Sequence, residues 1–150
     1  MREASDRAAI AKLVWNYCRA LDSLNEEAYA AVFTENGQFL AGATTVATGR
    51  SGLKEMIAGF KKQRAELQAK SKQKLPPTYH VISNASVEFI DQDHARFYSY
   101  WMTVMEGESK AFGGEKDVQP NVAAVGQAVD ELVRTQNGWR IQKRDVRPQN

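Results

Sequence analysis

Two residues of this 150-residue chain have the types and positions for proton-transfer chemistry, Asp22 and His80. Asp22 falls in the last turn of a predicted helix, where the helix dipole disfavours a carboxylate. His80 follows Pro76-Pro77 at the start of a predicted strand, near where a helix end could reach. A free imidazole titrates near neutrality, with a pKa of roughly 6.5, so it suits the removal of a proton. A carboxylate on one ring nitrogen fixes the tautomer and raises the basicity of the other. Asp22 is the carboxylate best placed for that. The plainer alternative is a satisfied strand-edge histidine and a solvated helix end.

Tyr17 precedes Asp22 by five residues and lies on the apolar side of the same helix. A buried tyrosine hydroxyl wants a partner. It could donate to a leaving hydroxyl or an enolate oxygen, or it could fill the core with its hydroxyl on a backbone carbonyl. Five residues are about 500° of helical rotation, so Tyr17 and Asp22 point roughly 140° apart. They share a site only if the helix end bends or the site wraps around it. His94 sits in a D-Q-D-H turn and is expected to be exposed, without a chemical role. Asn84 is four residues from His80 on one strand face, as a substrate contact or a satisfied strand end.

The positioning elements follow from periodicity. The first helix is predicted from Ser5 to about Leu24, with Ser5 as N-cap, Asp6 in the first turn, and Ile10, Leu13, Val14, Tyr17, Cys18 and Leu21 as its apolar stripe. Trp15 and Arg19 lie off the stripe. Asn25 caps a short second helix that Thr34 to Gly37 ends. Gln38–Ala41 and Thr44–Thr48 read as short strands about a turn. A third helix runs from Ser51 to Ala69 with Leu53, Met56, Ile57 and Phe60 inward, and its basic second half is expected to project or fray. After the loop KSKQKLPP the period becomes two. Thr78–Ile90, Ala95–Met105, Val122–Gln136 and Trp139–Val146 are the expected strands, with Asn137-Gly138 as a hairpin turn. Helices and then strands give an α+β domain, helices on one face of the sheet. A curved, mostly antiparallel sheet around the first helix would enclose an interior pocket, as a cone.

Composition narrows the function. The net charge is +2, too small to imply nucleic acid, although the Lys54–Lys74 region is basic. That run could attract an anionic substrate; a solvated helix face is the more ordinary reading. No apolar run approaches the ~18 residues of a membrane span, and no leader is visible behind MREASDR. A cytoplasmic protein is expected. The single cysteine, Cys18, excludes an internal disulfide or a multi-cysteine zinc site and reads as buried. There is no G-x-S-x-G, Walker A or G-x-G-x-x-G motif, and no histidine spacing suited to a metal, so no metal and no cofactor is expected. The strand RFYSYWMTVM offers one row with Phe97, Ser99 and Trp101 and another with Tyr98, Tyr100 and Met102. One should line the pocket. The other should meet a second copy in a homodimer or homotrimer. KSKQKLPP and the segment from Glu106 to Pro120 could cover the pocket.

Five stretches together resemble the nuclear-transport-factor-2-like superfamily in its SnoaL-like branch. They are DRAAIAKLVWNYCRALD (Asp6 to Asp22), AVFTENGQF (Ala31 to Phe39), TGRSGL (Thr48 to Leu53), YHVISN (Tyr79 to Asn84) and NGWRIQKR (Asn137 to Arg144). The resemblance implies a cystatin-like cone in a single domain over residues 1–150. Tyr17, Asp22 and His80 are similar to the site pattern of bile-acid 7α-dehydratase, and the Asp22 and His80 pair to the dyads of scytalone dehydratase and hexachlorocyclohexane dehydrochlorinase. That likeness implies His80 as general base, Asp22 as its orienter, and an assisting Tyr17 or Arg144. Arg147 and Arg140 are rivals to Arg144, because strict alternation from Trp139 and Ile141 turns Arg144 outward unless a bulge intervenes. Trp15, Phe60, Asn84, Phe97 and Trp101 are the candidate substrate contacts. An epoxide-hydrolase-like set of Asp130, Arg134 and Asp145 is a weaker alternative. The expected function is a lyase, dehydratase or isomerase acting on a mostly apolar ring compound. A non-catalytic binder of a hydrophobic ligand or a protein is the other possibility.

Overall fold

The computed structural model describes residues 2–149. Three helices, α1 (Arg2–Asp22), α2 (Glu26–Ala31) and α3 (Gly49–Lys70), pack on a curved six-stranded sheet. The strands are β1 (Phe33–Ala41), β2 (Thr44–Thr48), β3 (Thr78–Phe89), β4 (His94–Met105), β5 (Asn121–Thr135) and β6 (Gly138–Asp145), in the order β2-β1-β6-β5-β4-β3. Every neighbouring pair is antiparallel except β1 with β6. The last strand therefore lies inside the sheet and joins the short hairpin to the long meander.

α1 buries the predicted stripe. Ile10, Leu13, Tyr17 and Leu21 are in the core, with Val14 and Cys18 packed partly against it. Each such aliphatic side chain contributes about 1.5–3 kcal/mol by leaving water. The helix starts earlier than its expected cap: Ser5 lies inside it and its hydroxyl donates to the Arg2 carbonyl at 2.7 Å. Asp6 is not a solvated first-turn acid. It is 8% exposed and accepts hydrogen bonds from Arg134 Nη2 at 2.6 Å and Trp139 Nε1 at 3.1 Å, tying α1 to the far ends of β5 and β6.

The Arg134 hydrogen bond holds the Asp6 carboxyl below its ordinary value of 3.8, against the opposing push of burial. A lowered carboxyl stabilises the fold above its unfolded value, and that contribution is lost as pH falls through the folded value. Thermal midpoints measured from pH 6 down to about pH 2 should show this. Asp6→Asn should start with a lower midpoint and fall less steeply below about pH 4. Equal slopes would mean that Asp6 carries no pH-dependent stability.

Two local expectations change. Thr34 to Gly37 continue into β1 instead of ending a helix in a turn, but they interrupt its pairing. Phe33 sits opposite Ile141 and Gln38 opposite Lys143, so four residues face the single Gln142. A side chain at Gly37 would meet the Phe33 Cβ at 2.8 Å, so this crowded bulge takes glycine. The second half of α3 projects with an exposed surface, one of the two expected outcomes, and does not fray. Arg64 Nη2 donates to the carbonyls of Leu75 (3.3 Å) and Pro76 (2.9 Å), and Gln68 bonds the backbone of Gln73 and Leu75, so the following loop folds back along the helix. The Glu106 to Pro120 segment carries a 3-10 turn at Lys110–Phe112 and a bridge between Glu108 and Val118.

No helix among the described residues is long and apolar enough to cross a membrane. The meander's outer face leaves Val81, Tyr98, Tyr100 and Val125 exposed. The inward row of β4 is Ala95, Phe97 and Ser99.

Candidate active site

Asp22 is the last residue of α1, and His80 is the third of β3. Asp22 Oδ1 accepts the backbone N–H of His80 at 2.9 Å and lies 2.8 Å from His80 Nδ1. Two contacts to one oxygen lock the imidazole to the helix end. With Nδ1–H donating to the carboxylate, the ring's Nε2 carries the free lone pair. Both side chains are partly exposed, 26% for His80 and 20% for Asp22, because they line a cavity of about 700 Å3. That is within the usual range for a small-molecule site, roughly 300–1,000 Å3.

Tyr17 and Arg144 line the same cavity. Leu21, Asp22 and Leu24 line it too, so both sides of the end of α1 reach one cavity. Tyr17 packs against Tyr29 and Phe33 at ring distances of 5.4 and 6.4 Å. Burial pushes its phenol up, so the hydroxyl keeps its proton. The Arg144 guanidinium lies 4.4 Å from the Tyr17 ring centroid. Arg144 faces inward because β6 is bulged: Leu132 pairs with Ile141 and Glu131 with Lys143, which leaves Gln142 unpaired and shifts the alternation by one. Ile141 and Arg144 are then both buried, while Arg147 is exposed.

Arg144 is paired with Asp130, which is in register with it on β5 and fully buried. Burial pushes the Asp130 carboxyl up to about 6 even with Arg144 beside it. The carboxylate in turn holds Arg144 protonated. Arg144 Nε and Asp130 Oδ1 have no hydrogen-bond partner among the described residues. Asp130 is expected from the sequence only in the epoxide-hydrolase-like set; the missed signal is the alternation that puts Ala128, Asp130 and Leu132 on one inward row of β5. Cys18 is inert here, its thiol pushed up to about 11 by burial.

The other expected contacts divide. Phe60 and Trp101 line the cavity. The Trp101 indole donates to the carbonyls of Gln127 (3.2 Å) and Val146 (3.0 Å) and lies over Gly126, where any Cβ would meet the ring at 2.6 Å. Trp15 does not reach the cavity. It is 61% exposed, on the outer side of α1 beneath Arg19. Phe97 faces inward but is buried in the core, away from the cavity. Asn84 is turned out. A bulge between Ser83 and Ser86 breaks the alternation from His80, and Asn84 sits there exposed with φ of 50°. Asp130, Arg134 and Asp145 do not converge: Arg134 belongs to Asp6 and Asp93, and Asp145 accepts the backbone N–H of Gly42 and of Arg147. His94 is exposed beside Asp91. Among the described residues, no group of three His, Cys, Asp or Glu side chains is placed to hold a metal.

The profile of the SnoaL-like domain matches residues 2–145. The chain belongs to the SnoaL-like domain family. That family lies within the superfamily resembling nuclear transport factor 2, and solved structures agree in fold. Rv3472, a protein of unknown function from Mycobacterium tuberculosis, is 21% identical with a TM-score of 0.73 over 97% of this chain and 72% of its own. An NTF2-like protein with a cystatin-like fold from Novosphingobium aromaticivorans is 22% identical with a TM-score of 0.73, over 96% of this chain and 82% of its own. A candidate scytalone dehydratase from Novosphingobium aromaticivorans is 21% identical with a TM-score of 0.70, over 96% and 84%. A search of curated proteins found no match.

Proposed function

We propose that this SnoaL-like protein is a cofactor-independent lyase, dehydratase or isomerase that starts by taking a proton from carbon on a mostly apolar ring compound. The observation that carries the reading is the contact of 2.8 Å between His80 Nδ1 and Asp22 Oδ1 at the wall of an apolar cavity. His80 Nε2 takes the proton. Asp22 holds the tautomer and stabilises the imidazolium that forms. Negative charge then grows on an oxygen of the substrate, and Tyr17 and Arg144 are the donor and the cation available to it. The cavity wall, with Leu21, Phe39, Met56, Phe60, Ile82 and Trp101, suits a ring compound. The fold's likeness to a candidate scytalone dehydratase is in keeping with this chemistry. The same reading gives the exposed outer face of the meander to a second copy of the chain in a homodimer or homotrimer, a stoichiometry for sedimentation equilibrium to measure.

The test is the nitrogen NMR spectrum of the His80 imidazole in the wild type and in Asp22→Asn. The wild type should show the tautomer with its proton on Nδ1, facing Asp22, and the variant, which lacks the carboxylate that fixes it, should shift toward the other tautomer. Identical spectra would mean that the two side chains are not coupled. The dyad would then have no catalytic meaning, and a ligand-binding role without chemistry would replace it.

A further inference from the structure

We propose that the mouth of the cavity is an anion subsite built around Lys74, and that the substrate is a ring compound carrying an acidic substituent. This rests on reading the cavity as the substrate site.

Charge along the chain is uneven. Residues 61–74 hold six cations (Lys61, Lys62, Arg64, Lys70, Lys72 and Lys74) against one acid, Glu66, a net of +5. The whole chain is +2, so the other 136 residues together are −3. A basic stretch could be no more than a solvated helix face, but three observations set this one apart. Arg64 and Lys74 line the cavity, and among the described residues Asp22, already bonded to His80, is the only acid on its lining. Among the described residues, none of the six cations forms a salt bridge. And Lys74 is held in place: Gln73 and Leu75 on either side are bonded through their backbones to Gln68, while Arg64 is spent on the Leu75 and Pro76 carbonyls. Lys116 joins from the facing loop, its ammonium 3.4 Å from the Gln73 side chain.

An exposed cation anchored at the rim of an apolar cleft, with no acid of its own, favours a ligand whose charge stays at the rim while its rings go inside. Lys74 is only six residues before His80, at most about 20 Å of extended chain. A substrate of a few fused or linked rings can therefore reach both. The anion would also fix which ring carbon meets His80.

Two fluorescent probes of one ring skeleton test this: anilinonaphthalene sulfonate and its uncharged counterpart phenylnaphthylamine. The two should compete for one site. Lys74→Gln should weaken the sulfonate about fivefold at low salt, in line with the loss of one solvent-exposed ion pair, and Lys74→Glu should weaken it further. Neither should change the neutral probe by more than about twofold. High salt should weaken the sulfonate alone. Lys12→Gln, on the outer side of α1, should change neither. Sulfonate binding indifferent to Lys74, or an equal loss of both probes, would overturn the subsite and leave the cavity reading standing. No binding of either probe to the wild type would overturn both.

Discussion

Asp130→Ala should destabilise the protein by about 3–5 kcal/mol, the usual result of removing one member of a buried ion pair. Asp130 is fully buried and Arg144 is 2% exposed, so the guanidinium left behind would lose its counter-charge with little water to replace it. Its other neighbours are aromatic, with the Tyr17 ring 4.4 Å away. The attraction in the wild-type pair is largely offset by the desolvation of both groups. Removing both charges should therefore cost much less than removing one. Asp130→Leu with Arg144→Met should regain most of the loss, while taking the cation from the cavity wall. Urea unfolding of the two single variants and the double variant closes the cycle. A cost below about 1 kcal/mol for Asp130→Ala would mean that Arg144 finds water by another route, and that the buried pair does little to hold the fold.

His80→Ala should lower kcat/KM by about 10²–10⁴ for any ring compound the protein turns over, the range for loss of a positioned general base. The loss should fall on kcat more than on KM, because the apolar cavity wall is untouched. Asp22 needs a more careful substitution. Its Oδ1 also accepts the His80 backbone N–H, so alanine would free the start of β3 as well as the ring. Asp22→Asn keeps an acceptor and removes the charge, and it too should lower kcat. A His80→Ala protein that retains wild-type turnover would remove His80 from the mechanism and leave Tyr17 and Arg144 to be tested for it.

Much of the fold was legible because the periodicities are strong. The stripe from Ile10 to Leu21 and the alternation of the meander give helices and strands within a few residues of those observed. Asp22 was visible as a charge in the wrong turn of a helix. What alternation cannot see is a bulge. The same irregularity misplaced Asn84, by a bulge after Ser83, and left the direction of Arg144 open until the bulge at Gln142 brought it inward. Trp15 misled for another reason: a large aromatic off the apolar stripe can still cover its faces, here with the Arg19 guanidinium, without touching a ligand. The Asp130 partnership is a cross-strand register, and register becomes legible only once the hairpin at Asn137-Gly138 is counted back residue by residue.

The interior position of β6 also bears on how the chain is made. Strand β1 has no partner on its inner side until β6 arrives, and Thr34 and Gln142, which meet there, are 108 residues apart. Asp6 waits across 133 residues for Trp139. At about 5–20 residues per second, a ribosome takes on the order of 7–30 seconds to cover that distance. Through that interval α1 can pack on α2 and β3 but lacks the contacts it finally makes with β6. Asp22 and His80 have both emerged long before Arg144, so the nascent chain holds this hydrogen-bonded pair before the cavity lining is complete. Such a long-range closure is slow compared with local helix formation, and it makes the last strand the step that commits the whole domain.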